Sequence, residues 1–448
     1  MSASLLNTTL LGKGKSFDDP LKQIDLRIPN DYRKRHMSVF GTTGCGKTRL
    51  AENVIEQDIR AGRSVVFIDP KNDQDISAKI IQTAFACGRQ EDLMFINTAF
   101  PEYSALINPL SHWFISEELV AHCIAGIKEG KEPYFRNVGK EIASAVVSAL
   151  NCIASERGGD PQPIMLNDIK KLISREGLES LHAQMDGLTS HESKEVKSDL
   201  EGVIATGQEY YSKVASSLRV ALHELTTGNI GKIIGCTNEN KFMERLEQGK
   251  PVILVCQLGS LIVHEAAFTL GKVILSMVQS FIGRAYSSRK KKANPPICIH
   301  IDEAQSVLHP GVEDLFAKAG SADCWVTCYC QSVNQIYATL GKDFGQSILS
   351  LTNTKIFMKV PDNETAMYVA EHFGTHNKLS PIIAPGGSIT TREMEEDIVK
   401  PFDVIKLRPR EFYMLTYADN KHTGRFKGIT ADVANTWLEV IYPDAPTG

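Results

Sequence analysis

The chain has 448 residues, 42% of them hydrophobic and 23% charged, with a formal net charge of −4. This balance excludes a disordered chain and a surface uniformly coated in basic residues, though a local basic stripe stays compatible with nucleic acid. Ten cysteines fall in no Cys-x-x-Cys pair, so reduced thiols are expected rather than a disulfide framework or a zinc site.

At the N-terminus no apolar run follows a basic region, and no signal peptide is expected. The first β-type run is Met37–Phe40, directly before Gly41, Thr42, Thr43, Gly44, Cys45, Gly46, Lys47 and Thr48. Arg49 to Arg60 follow, with Leu50, Ala51, Val54 and Ile55 at helical spacing. Strand, glycine-rich loop and helix in this order form a phosphate-binding loop. Glycines let backbone N–H groups approach phosphate oxygens, and the helix N-terminus adds its positive dipole end. Lys47 suits the β and γ phosphates and the Thr48 hydroxyl suits Mg²⁺. The sequence therefore predicts a nucleoside triphosphate, ATP with Mg²⁺, held by residues 41 to 49.

Further β-type runs follow at Val65–Asp69 and Leu93–Asn97, separated by helical patterns, which predicts a βαβαβ start and a parallel sheet. Val65–Asp69 closes on Pro70 and Lys71, a strand stop with a lysine on the nucleotide side. From Leu110 to Gly235 no convincing strand appears, only helical stretches at Glu117–Lys128, Val138–Ile153, Ile169–Ser174, Ser193–Ala205 and Tyr211–Leu225. Strand-like runs resume at Val252–Gln257, Ile297–Asp302, Trp325–Tyr329 and Lys355–Val360. The expected organisation is one α/β motor domain over residues 1–109 and 236–448, interrupted by an all-α insertion over 110–235. Leu261 to Gly283 is apolar but carries His264, Glu265 and Lys272, so a buried or half-buried helix is expected rather than a membrane span.

Ile297–Ile301 is followed by Asp302 and Glu303, two acids at the carboxyl end of a parallel strand, where ligands bind. Asp302 is expected to hold Mg²⁺ and Glu303 to activate the attacking water, which predicts ATP hydrolysis. The next strand ends at Cys330 and Gln331, and Gln331 can reach the γ-phosphate or the lytic water. Cys324, Cys328 and Cys330 alternate along that strand as core residues. Arg289, Lys290, Lys291 and Lys292, and also Lys128, Lys131 and Arg136, are candidate phosphate-backbone contacts beside the simpler reading of solvated loops. Tyr210 and Tyr211 could stack on bases, but core packing is the commoner role.

The ordered set resembles the type IV coupling proteins of conjugation and secretion (TraD/TraG-like ATPases) and, more broadly, the FtsK/HerA translocases. It comprises Arg35-His36, the Gly41–Thr48 loop, Asp69-Pro70-Lys71, Asn108-Pro109-Leu110, Asp302-Glu303-Ala304-Gln305, Gln331-Ser332 and Asp362 to Ala366. The resemblance implies a RecA-like P-loop motor in a homo-hexameric ring with ATP at subunit interfaces and DNA, single- or double-stranded, in a central channel. It also implies an all-α domain facing relaxosome and secretion-channel proteins, at the cytoplasmic face of the bacterial inner membrane. Two departures stand out. Only the residues up to Arg35 precede the first expected strand, so membrane association would need a further segment or a partner. Gly320 stands where the family often places an arginine, with Lys318 the nearest cation; Arg392 and Arg408 are alternative sources. A protein-cargo receptor ATPase, or an ATP-binding adaptor with little hydrolysis, are the competing functions.

Overall fold

Seven apolar runs become parallel strands because each carries apolar side chains on both faces and can be covered on both sides. In the computed structural model these are β3 (Met37–Phe40), β4 (Ser64–Asp69), β5 (Leu93–Asn97), β6 (Ile253–Gln257), β7 (Ile297–Ile301), β8 (Cys324–Cys330) and β9 (Thr354–Phe357). The structure describes residues 7–127, 134–157, 163–288, 292–383, 389–419 and 422–440. Four more strands extend the sheet: β1 (Thr8–Ser16), β2 (Ile24–Pro29), β12 (Glu411–Asp419) and β13 (His422–Thr430). The order is β2-β1-β13-β12-β9-β3-β8-β7-β4-β6-β5, parallel from β9 to β5 and antiparallel from β2 to the β9–β12 pair. The sheet is mostly parallel and flanked by helices, a RecA-like P-loop fold. β1 and β2 correct the expectation that the chain opens its strands at Met37. A separate hairpin, β10 (Thr375–Ile383) with β11 (Ile389–Asp397), stands outside this sheet.

Because side chains alternate along a strand, the sheet divides the core in two. Val39, Val65, Phe67, Ile253 and Val255 face helices α1 (Lys47–Arg60) and α2 (Gln74–Ala86), meeting Leu50, Val54 and Ile80. Phe40, Val66, Ile68, Ile299 and Ile301 face the other way, into a cluster shared with Leu119, Ile142, Val146, Leu222 and Ile274. Those partners belong to helices Ser116–Ile124, Tyr134–Arg157, Ser216–Thr226 and Glu265–Ser287. Among the described residues between β5 and β6 no strand occurs, only helices and the isolated bridge Ile107–Asn240. The two ends of this stretch meet where Asn108 N–H donates to the Glu239 carbonyl at 2.6 Å and the Asn240 amide donates to the Asn108 carbonyl at 2.7 Å. Glu265–Ser287 is long and apolar enough to cross a membrane by length and composition alone, yet 61% of its apolar window is buried within the fold.

His36 joins the start of β3 to its surroundings. It is buried; its Nδ1 accepts the Val326 N–H at 3.0 Å, so Nε2 carries the proton and donates to the Phe316 carbonyl at 2.8 Å. Burial lowers its pKa to about 4, against the hydrogen bond to Phe316. A base with a lowered folded pKa leaves the unfolded chain binding more protons between pH 4 and 6.5, so stability falls as pH drops through that window. The expected loss is on the order of 1 kcal/mol per pH unit, a few kcal/mol in all. His36→Asn, which tolerates the positive φ at this position, is expected to lose less stability than wild type between pH 7 and 5 in thermal melts.

Candidate functional site

The loop at residues 41–48 is folded for anion binding by its local sequence. Gly44 and Gly46 take φ of +76° and +104°, conformations that L side chains rarely adopt. A Cβ on Gly41 would lie 2.5 Å from Cys45 Sγ and 3.0 Å from Met358 Cβ, so a side chain there would force these neighbours to shift. Three backbone hydrogen bonds moor it: Gly41 N–H to the Cys330 carbonyl (3.1 Å), Thr42 N–H to the Lys359 carbonyl (2.8 Å), and Arg410 N–H to the Cys45 carbonyl (2.7 Å). Lys47 is buried, with its ammonium donating to the Gly41 carbonyl inside the loop. Thr43, Gly44 and Thr48 are exposed, Thr42 and Gly46 half-buried, and Cys45 buried.

At the loop a small cavity is lined by Lys47, Thr48, Asp73 and Asp302, with Ala51, Phe67, Ile76 and Tyr329 forming its apolar wall. A glycine loop at a helix N-terminus, an ammonium, a hydroxyl and a carboxylate form a donor set that fits a Mg²⁺-bound nucleotide. Arg49 turns away to pair with Glu52 at 2.8 Å and lies outside this lining.

β7 delivers the acids. Burial raises the Asp302 carboxyl above its ordinary value, with Lys71 opposing; a divalent cation there would relieve that cost. Glu303 adopts a left-handed backbone, φ 43° and ψ 50°, a conformation of the kind that clusters at functional sites. Its carboxylate accepts from Gln331 Nε2 at 2.8 Å, from Gln305 Nε2 at 2.6 Å and from Lys71 Nζ. Burial opposes its charge, but those three donors hold its pKa below the ordinary value. Gln335 joins the cluster through Gln331 Oε1 at 3.3 Å. Lys71 Nζ also lies 3.8 Å from Asp302 Oδ2. The structure thus brings Lys47, Thr48 and Asp302 together, with Glu303 and Gln331 joined beside them. Gln305 appeared in the sequence only within a motif, and Gln335 carried no local signal.

A buried network lies behind the site. Asp58 of α1 accepts from Arg33 at 2.5 and 2.8 Å, from Arg63 at 2.5 Å and from His300 Nε2 at 3.0 Å. His300 precedes Asp302 on β7 by two residues, and its Nδ1 lies 3.3 Å from the Tyr329 hydroxyl on β8. Arg33 and Arg63 both lie over the Trp325 ring, at 5.2 and 4.5 Å. The network therefore joins the elements that carry Lys47, Asp302 and Gln331.

Gly320 is sealed: a Cβ there would lie 2.1 Å from the Lys34 carbonyl oxygen. Lys318 is exposed and paired with Asp314 at 2.7 Å. Gly320→Arg is therefore expected to destabilise the fold by roughly 1–3 kcal/mol through overpacking, with no gain in ATP turnover; urea titration and a turnover assay check both. Arg408 N–H donates to Glu411 Oε2 at 2.9 Å, and the Arg392 side chain lies outside the described residues. Lys128, Lys131, Arg289, Lys290 and Lys291 also lie outside them, while Lys292 pairs with Asp323 at 3.5 Å. Tyr211 is buried, its hydroxyl donating to the Ile173 carbonyl at 2.6 Å, whereas Tyr210 is exposed. Cys324, Cys328 and Cys330 are buried free thiols in the core.

Residues 14–217 match the family profile described as the central domain of the helicase HerA, and residues 296–407 match the TraM recognition site of TraD and TraG. A stretch of 94 residues is 29% identical to the type 4 coupling protein DotL of Legionella pneumophila; this match spans 20% of the chain and 12% of DotL. The unbound conjugative coupling protein TrwBdeltaN70 shares the fold with a TM-score of 0.69 at 15% identity, covering 96% of this chain and 92% of that one. TrwB in complex with ADP and Mg²⁺ gives 0.64 at 16% identity (98% and 95% covered). VirB4 of Thermoanaerobacter pseudethanolicus gives 0.53 at 15% identity (95% and 97% covered). With one profile falling on the phosphate loop and the other on the acid-bearing strand, the chain is a P-loop ATPase similar to the type IV coupling proteins.

Proposed function

We propose that this chain hydrolyses ATP and uses the energy to move DNA toward a type IV secretion or conjugation channel. The observation that carries the hydrolytic reading is Glu303, held in a left-handed turn by three donors, next to Asp302 on the cavity of Lys47 and Thr48. Bound Mg²⁺–ATP supplies the scissile phosphoanhydride and the metal charge that offsets its own. Lys47 and the amides of residues 41–49 bind the phosphates, with Thr48 and Asp302 as the metal-side ligands. Glu303 takes a proton from the water whose oxygen attacks phosphorus, and the bond electrons leave on the ADP oxygen. Gln331, bonded to Glu303, orients that water and reads the phosphate end of the nucleotide.

In this reading residues 1–109 and 236–448 form the motor and 110–235 the inserted helical unit, joined at the Asn108–Asn240 crossing. The motor works as a homo-hexamer around single- or double-stranded DNA at the cytoplasmic face of the inner membrane. The helical unit meets the relaxosome and channel proteins. The likeness to proteins described as conjugative and plasmid coupling proteins supports a DNA cargo. Steady-state turnover with and without single- and double-stranded DNA, with sizing of the same samples, is the test. Severalfold stimulation with a ring-sized species is expected. Turnover indifferent to DNA but raised by a secreted protein would overturn the DNA reading in favour of a protein cargo.

A further inference from the structure

We propose that Lys71 acts in cis as the cation on the γ-phosphate side of the site, taking the place left by the sealed position at Gly320. The inference rests on the ATPase reading above. Phosphoryl transfer spreads negative charge over the γ oxygens, and hydrolysis is fast only where a fixed cation meets it. Lys47 cradles the nucleotide from the loop side. Three other described cations are committed elsewhere. Lys318 pairs with Asp314, Arg49 pairs with Glu52, and the Arg410 guanidinium goes to the Thr430 carbonyl (2.8 Å) and Asp432 (2.6 Å). Gly320 has no room for any side chain.

Lys71 differs from these in touching the reacting groups' own carboxylate. Its ammonium contacts Glu303 and stands 3.8 Å from Asp302. A water activated by Glu303 must lie within about 3 Å of that carboxylate and in line with the γ-phosphorus. A cation bonded to the same carboxylate is therefore one water away from the γ oxygens. The side chain is 47% exposed, and its flexible four-carbon stem lets the ammonium swing from carboxylate to phosphate.

The backbone beneath Lys71 is built to hold that position. Buried Asp69 accepts the Lys71 N–H at 2.8 Å and the Asp73 N–H, and Asn72 takes φ +69°. Leu258 N–H donates to the Asp69 carbonyl (2.9 Å) and Ser260 N–H to the Pro70 carbonyl (2.8 Å), pinning the turn to the end of β6. A surface lysine serving solubility needs none of this. A simple counter-ion for two crowded acids would explain the ion pairs equally well, and the two roles predict opposite effects. Removing a counter-ion frees Glu303 and keeps or raises turnover; removing a catalytic cation lowers it.

The test compares wild type with Lys71→Ala, Lys71→Met (which keeps the stem) and Lys71→Arg. A fluorescent ATP analogue and ADP with aluminium fluoride, a mimic of the transferring phosphoryl group, are titrated alongside turnover and melting temperature. Lys71→Ala and Lys71→Met are expected to bind the ATP analogue within about threefold of wild type. They should lose roughly 10²-fold in affinity for the aluminium fluoride complex and a similar factor in turnover. Lys71→Arg should recover part of both, with melting temperatures unchanged throughout. Equal or faster turnover in Lys71→Ala, or equal affinity for the mimic, overturns the proposal and makes Lys71 a counter-ion. Wild type that binds no nucleotide overturns the ATPase reading itself, a different outcome from an active wild type matched by its Lys71 variants.

Discussion

Glu303→Gln is expected to bind ATP within a few-fold of wild type while losing roughly 10²- to 10⁴-fold in turnover, the usual contribution of a positioned general base. The amide keeps the shape of the carboxylate but cannot take the proton from water. The phosphate loop stays intact, because its anchors run to Cys330, Lys359 and Arg410 and do not involve Glu303. Single-turnover hydrolysis with a fluorescent nucleotide titration separates the two effects. A wild-type rate in this variant would remove Glu303 from catalysis and leave its strained turn without a role.

The second large effect is on stability. Asp58→Leu leaves Arg33 and Arg63 buried beside Trp325 without their common anion. Removing one partner from a buried ion pair costs about 3–5 kcal/mol, because the remaining charge keeps its desolvation penalty. Burial opposes the Asp58 charge, but Arg33 and His300 hold its pKa far below the ordinary value. An acid with a lowered folded pKa contributes stability that is present above the unfolded pKa of 3.8 and is lost as pH falls below it. Urea unfolding of Asp58→Leu is therefore expected to show a deficit at neutral pH that shrinks in acid. Arg33→Met combined with Asp58→Leu should recover part of the loss, since one orphaned cation is gone. A double variant no more stable than Asp58→Leu would contradict this account of the network. Because Asp58 lies on the loop helix and His300 on β7, a parallel fall in nucleotide affinity is expected.

The parts of the fold legible in the sequence were those with strong local signals. Met37–Phe40 and Leu93–Asn97 form strands at the expected bounds, and the other buried runs lie within a few residues of theirs. Parallel strands covered on both faces are largely apolar, so composition marks them. β1 carries Gly12, Lys13, Gly14 and Lys15, and β13 carries Gly424, Arg425, Lys427 and Gly428; neither reads as a buried run. Their glycines answer close backbone approach, as where a Cβ on Gly12 would lie 1.9 Å from the Ile429 carbonyl. The helix Arg175–Gln184 lies between the expected ones and carries little sequence signal, its buried apolar face being only Leu178 and Leu181.

The phosphate loop and the acid pair were legible for the same reason: their chemistry needs fixed residue types at fixed spacing. What surrounds them was not. Arg33, Asp58, Arg63 and His300 come from separate elements and meet only through the sheet order that sets β7 between β4 and β8. Lys71 read as facing the nucleotide side, but its partner Glu303 emerges only from that same adjacency.

The most direct test of the central claim is ATP hydrolysis by the purified chain with and without Mg²⁺, using Lys47→Ala as the comparison. Mg²⁺-dependent turnover that disappears with Lys47→Ala is the predicted result. Tight nucleotide binding with no turnover, with DNA present or absent, would contradict it and leave a nucleotide-binding adaptor.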